Sequence, residues 1–162
     1  MRINATLSDI PAQARLWFYN IPRELTNDEV LKFEALRNQF LPDWNTHGKA
    51  NHGDVWLIES RLLMVIGWND FESISGCSID KSVAFIRKLS ELFQLDLMDR
   101  MWVYFQKDNE WKQAKIHQFW AMRKANEVTD ETLILDTTLS TFSQFTELSK
   151  ALGNSWHAQM WK

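Results

Sequence analysis

Residues 55–68 read VWLIESRLLMVIGW, and this stretch constrains the fold more than any other. It is too apolar for a surface helix, and Glu59-Ser60-Arg61 interrupts it in the middle. The interruption predicts two antiparallel strands, about 54–59 and 62–68, joined by a tight turn. Asn-Gly and Gly-X pairs are missing there, so the turn type stays open. A continuous helix across 55–68 is the competing reading.

The flanking segments extend the pattern. ARLWFYN (14–20) is short and aromatic-rich and predicts a strand that ends before Pro22. Thr26-Asn27-Asp28-Glu29 matches a capping box, in which the Thr26 hydroxyl and the Glu29 carboxylate each take a backbone amide. Val30, Phe33, Arg37 and Phe40 then share one face, which predicts a helix that Pro42 ends near Leu41. A polar loop follows over 43–54. Ile79, Val83, Ile86, Leu89 and Phe93 mark a second helix starting at Ser78, and RMWVYFQ (100–106) marks a fourth strand. The order through residue 106 is β-α-β-β-α-β, so the expected class is α+β, with a ferredoxin-like antiparallel sheet. Beyond it, 112–125 reads as helix, 132–137 as strand, 141–151 as helix and 155–161 as extended. Some 50 residues make little core alone. The expectation is therefore a single domain over 1–162, a unit at 14–106 with 107–162 as a C-terminal α/β elaboration packed on it.

Composition narrows the function classes. The net charge of −3 gives no electrostatic footprint for nucleic acid or an anionic membrane. A single cysteine among 162 residues excludes an intramolecular disulfide and fits a reducing, cytoplasmic setting. No signal peptide and no apolar run of spanning length is apparent. Nine Trp and ten Phe are many. Trp17, Tyr19, Trp102 and Tyr104 fall at period-two positions on one expected sheet face, where some RNA-binding modules of this topology stack bases. RMWVYFQ lacks the glycine-aromatic core of those modules, so core packing under 107–162 or a second subunit is the favoured role.

In the expected topology the loops at 43–54 and 69–77 meet at one pole, bringing His47, His52 and Cys77 together. Cys77 lies in ISGCSID (74–80), where Ser75 or Ser78 caps the second helix. Free amides and the helix dipole at such a start favour a thiolate or a bound anion, and Gly76 allows close backbone approach. A compact helix start with a half-buried thiol explains the same residues. His47, His52 and Asp54 do not match a recognised metal spacing, so no metal and no cofactor is implied.

Trp44-Asn45-Thr46-His47-Gly48, the SGCSID segment 75–80, Asp99-Arg100 and Ser155-Trp156-His157 together resemble a family of small bacterial proteins that often carry the label "ABC transporter ATPase". The likeness spans nearly the whole chain but implies no activity. The label does not fit the residues, because a phosphate-binding loop needs G-x-x-x-x-G-K-[ST]. Here Ala50 follows Gly48-Lys49, and Asp43 stands where the first glycine belongs. The resemblance groups His47, Cys77, Asp80 and His157.

Three readings follow. The first is a small-ligand or anion-binding regulatory protein, with Trp44, His47, Gly48, Ser75, Gly76, Cys77, Ser78 and Asp80 around the ligand. The second is a cysteine-dependent hydrolase or transferase, with Cys77 as nucleophile and His47 or His157 as base. The third is a structural or interaction protein that forms a homodimer through its sheet or the sheet's edge. The Trp44-His47 and Trp156-His157 pairs also suit packing and hydrogen-bond anchors.

Overall fold

The computed structural model describes residues 7–46, 51–71 and 73–161, so His47 and Gly48 lie outside the described residues. The class is α+β, with two antiparallel sheets. The chain forms two compact units, Met1–Met98 with Ser140–Ser143, and Asp99–Leu139 with Gln144–Lys162. No described helix is long and apolar enough to cross a membrane.

The first unit holds β1 (Arg15–Asn20), α1 (Asn27–Thr46), β2 (Asn51–Ile58), β3 (Leu62–Asn69) and α2 (Gly76–Phe93). The apolar stretch is indeed a hairpin, and β3 is the centre of a sheet ordered β1-β3-β2. Glu59 and Ser60 both take left-handed φ, 50° and 52°, and the Arg61 amide donates to Ile58 O at 3.0 Å. This is the primed geometry that matches strand twist, reached without glycine. Both helices cover one sheet face. Tyr19, Val55, Leu63 and Val65 point there and pack with Phe33 and Trp44 of α1 and Phe85, Ile86 and Leu89 of α2.

Thr26 and Glu29 form the expected capping box, with the Glu29 amide donating to Thr26 Oγ1 at 3.2 Å and the Thr26 amide to Glu29 Oε2 at 2.8 Å. Pro42, however, lies inside α1. Its ring costs an intrahelical bond, but Trp44 holds the turn beyond it: the ring stacks on Phe40 at 5.2 Å and its Nε1 donates to Ser78 O at 2.9 Å.

The ferredoxin-like order is not formed. β4 (Trp102–Lys107) belongs to the second unit, in a sheet ordered β5-β4-β6-β7 with β5 (Glu110–Lys115), β6 (Leu133–Leu135) and β7 (Ser149–Ala151). The cause is local. Asp108 and Asn109, at φ 56° and 61°, close a two-residue hairpin that pairs Lys107 with Glu110. That occupies one edge of β4, and Ile134 of β6 meets Phe105 on the other. Residues 112–115 are thus strand where helix was expected, and of the expected 112–125 only α3 (Ile116–Lys124) is helical. Phe142–Glu147 and Trp156–Trp161 form 3₁₀ turns in place of the expected helix and extended segment. Residues 99–106 accordingly belong to the second unit, and the first is Met1–Met98 with Ser140–Ser143. The four aromatics expected on one sheet face are divided between two sheets, and Tyr19 faces the helices.

One buried ion pair stands out in this apolar frame. Arg37, on the inward face of α1, reaches the edge of β2 and pairs with Asp54; the two are 6% and 4% exposed. Its Nε also donates to Val55 O at 2.8 Å, while Asp54 accepts from the Val55 amide at 2.7 Å and from Trp56 Nε1 at 3.1 Å. Removing one partner strands the other charge in the core. Arg37→Met should lower unfolding stability by about 3–5 kcal/mol, and adding Asp54→Asn should recover part of the loss, as measured by urea denaturation.

Candidate functional site

Among the described residues the end of α1, the start of β2, the end of β3 and the start of α2 come together, while the expected loop residues 47–50 lie outside the described residues. The α2 helix is capped by Ser75, whose Oγ accepts from the Ser78 amide at 3.2 Å and donates to Ser78 Oγ at 3.0 Å. Ser78 is fully buried, and its hydroxyl accepts from Asn51 Nδ2 at 2.6 Å. Asn69 Nδ2 donates to Asn51 Oδ1 at 2.8 Å, and the Phe71 amide donates to Asn69 Oδ1 at 3.0 Å. With Trp44 Nε1 on Ser78 O, this network joins the end of α1, the start of β2, the end of β3 and the start of α2. Asn51 and Asn69 face each other in the β2–β3 register.

Gly53 makes room for it. A Cβ there would lie 2.3 Å from Trp44 Cζ3 and 2.7 Å from Ile66 O, so only glycine lets the indole lie against the strand. Beside it, His52 Nε2 and Asp70 Oδ2 are 2.8 Å apart, and the imidazole stacks on Trp68 at 5.3 Å.

Several expected site residues have other roles. Trp44 and Ser78 are buried, with Trp44 Nε1 on the Ser78 carbonyl and the Ser78 hydroxyl on Asn51 and Ser75, so they support the pole from below. No protein atom lies within 4 Å of where a Cβ on Gly76 would sit, so no packing contact calls for glycine there. Cys77 is exposed in the first helical turn, not half-buried, and Asp80 is exposed nearby. Among the described residues no hydrogen-bonding base accompanies the Cys77 thiol, and no group of three His, Cys, Asp or Glu side chains could hold a metal ion. Asp54 is taken by Arg37, and His52 by Asp70.

His157 belongs to the second unit, as does Asp99. It is 3% exposed, its Nδ1 lies 3.2 Å from Ser155 Oγ, and it stacks on Trp156 at 4.1 Å and meets Phe119 edge-on at 6.3 Å. Burial pushes its pKa down from 6.5 to about 4, against an opposing pull from Asp136. It is a neutral packing anchor. Asp99 accepts from the Met101 amide at 2.9 Å and pairs with Lys115, so it shapes the entry to β4.

Sequence reasoning missed the residues that line the open space at the pole. A cavity of about 290 Å³ lies between Gln13 and Arg15 at the start of β1 and residues 67–71, 73 and 74. The Arg15 guanidinium sits 5.2 Å from the Trp17 ring centroid, without an ion pair among the described residues. Phe71 stands at the rim, 90% exposed. Its exposure could not be read from the sequence, although an aromatic between Asp70 and Glu72 in a polar loop was the available signal.

Two outcomes are expected. The His157 pKa lies below its unfolded value, so its contribution is intact above about pH 6.5 and is lost as pH falls toward 4. The loss reaches at most about 3 kcal/mol. Denaturation midpoints between pH 7 and 4.5 should therefore fall more steeply for the native sequence than for His157→Gln. Iodoacetamide should alkylate Cys77 in the folded protein about as fast as in urea; strong protection would contradict its exposure. No family model, no curated protein and no solved structure matches the chain, so a reading of function rests on this geometry.

Proposed function

We propose that the protein is a small-ligand-binding protein that takes an anionic molecule with a planar or apolar body at the pole cavity. The supporting observation is Arg15, a cation without a carboxylate partner among the described residues, set at a cavity with the exposed Phe71 ring at its rim. An aromatic side chain left in water at a concave, partly polar site is a ready lid for an apolar ligand face. The guanidinium supplies a planar, permanently charged fork for carboxylate or phosphate. The Ser78–Asn51–Asn69 network beneath, whose Asn69 takes the Phe71 amide, supports the pre-organisation that a weak, reversible sensor of a metabolite needs. In this reading the family of functions is regulatory, and the exposed Cys77 is not part of the chemistry.

Phenyl phosphate and inorganic phosphate serve as probes. The first should shift the Gly67, Trp68 and Phe71 amide resonances saturably, and the second more weakly. Arg15→Gln should weaken phenyl phosphate binding by about tenfold or more, the size of one charged hydrogen bond. Equal binding by Arg15→Gln, or no saturable shift with either probe, would refute the assignment.

A further inference from the structure

The two outer edges of the first sheet are finished differently. Along β1, the Leu16 amide donates to Ser140 O at 2.9 Å and the Phe142 amide to Ala14 O at 2.8 Å, so Ser140–Phe142 covers that edge. Along β2 the covering is made by side chains. Asn45 Nδ2 donates to Gly53 O at 3.3 Å, Arg37 Nε takes Val55 O, and Asp54 takes the Val55 amide.

Backbone groups of alternate residues point the same way in a strand. The outward Leu16 amide on β1 fixes the phase through the β1–β3 and β2–β3 registers, which makes 54, 56 and 58 the residues that bond β3. Residues 53, 55 and 57 face outward. Leu57 alone of these has no side chain on its amide or carbonyl among the described residues. An edge strand left open in this way is a template for another strand.

The opening has a cavity beside it, about 380 Å³, walled by Val30, Phe33, Glu34 and Arg37 of α1 and by residues 55–60 of β2 and its turn. That volume falls in the range of roughly 300–1,000 Å³ typical of ligand pockets. Its charge is one-sided. Arg37 is neutralised by Asp54, whereas Glu34 and Glu59 have no ion pair among the described residues.

We propose that the Leu57 edge and this cavity dock an extended peptide carrying a lysine or arginine. The peptide backbone pairs with the Leu57 amide and carbonyl. The aliphatic stem of its basic residue lies on Val30, Phe33 and Leu57, and its cationic head sits between Glu34 and Glu59. This is strand addition, with affinity from the main chain and selectivity from the pocket. A second copy is a poorer occupant. Edge-to-edge pairing about Leu57 would gather both copies' Glu34 and Glu59, and each Glu59 would oppose a Val55 whose backbone is already bonded.

The probe is the blocked hexapeptide acetyl-Thr-Val-Lys-Val-Thr-Val-amide, titrated into the full-length protein and followed by amide resonances. The Leu57 amide should shift saturably and exchange more slowly. The Glu34→Gln/Glu59→Gln variant should bind at least tenfold more weakly, and a peptide with Glu in place of Lys should not bind. Equal binding of the Glu peptide, unchanged affinity of the double variant, or no saturable shift at millimolar peptide would overturn the proposal. So would a Leu57 shift that follows protein concentration alone with dimer sedimentation, which would make a second copy the occupant.

Discussion

Much of the first unit depends on where one indole is placed. Trp44 lies two residues beyond a proline that should have ended its helix. It binds the Ser78 carbonyl through Nε1, stacks on Phe40 and presses its ring against the glycine of β2. Each contact ties a different element to α1. The hydrogen bond fixes the start of α2, the stack continues through Phe40 to Phe85 at 4.3 Å, and the Gly53 contact sets how closely the helix approaches the sheet. A ring of this size, 2% exposed, buries enough apolar surface to outweigh the missing proline hydrogen bond.

Closing the sheet edge is the second constraint. A three-stranded sheet has two edges, and unpaired edges invite aggregation or partners. One edge here is covered by a chain segment from far along the sequence, the other by Arg37, Asp54 and Asn45 from the helix and the strand itself. The buried ion pair makes sense in this light. Its charge is costly to bury, but its bonds go to backbone groups that would otherwise be left exposed at the edge. Coverage stops at Val55 and leaves Leu57 open, beside a cavity whose Glu34 and Glu59 have no ion pair among the described residues.

The polar pole and the edge cavity are built differently. At the pole, buried amide and hydroxyl groups satisfy one another, and the open space beside them is lined by Gln13, Arg15 and residues 67–71, 73 and 74. At the edge, the free groups are backbone. His157, which the sequence grouped with Cys77, is instead a neutral, buried anchor of the second unit, and its Trp156 neighbour supplies a stacking face.

Local chemistry was legible in the sequence wherever neighbours alone decide it. The split in the apolar run specified the β2–β3 hairpin, Thr26 and Glu29 specified the start of α1, and Ser75 was one of two caps named for α2. Serine at a helix start and alternating apolar runs act over a few residues, so no distant partner is needed to read them. The meeting of the strand ends around Ser78 also followed from counting chain reversals, although Asn51 and Asn69 were not foreseen as its links. Tertiary structure decided the rest. Pro42 was overridden because Trp44 finds its partners 34 residues away. β4 left the first sheet because the Asp108-Asn109 turn offers it a nearer strand. Arg37 became buried because Asp54 waits at the edge of β2, and Cys77 stayed in water because the helix turns its first residues outward. Each of these outcomes depends on which surfaces compete for the same residue once the chain is compact, a comparison of long-range contacts that no local window of sequence contains.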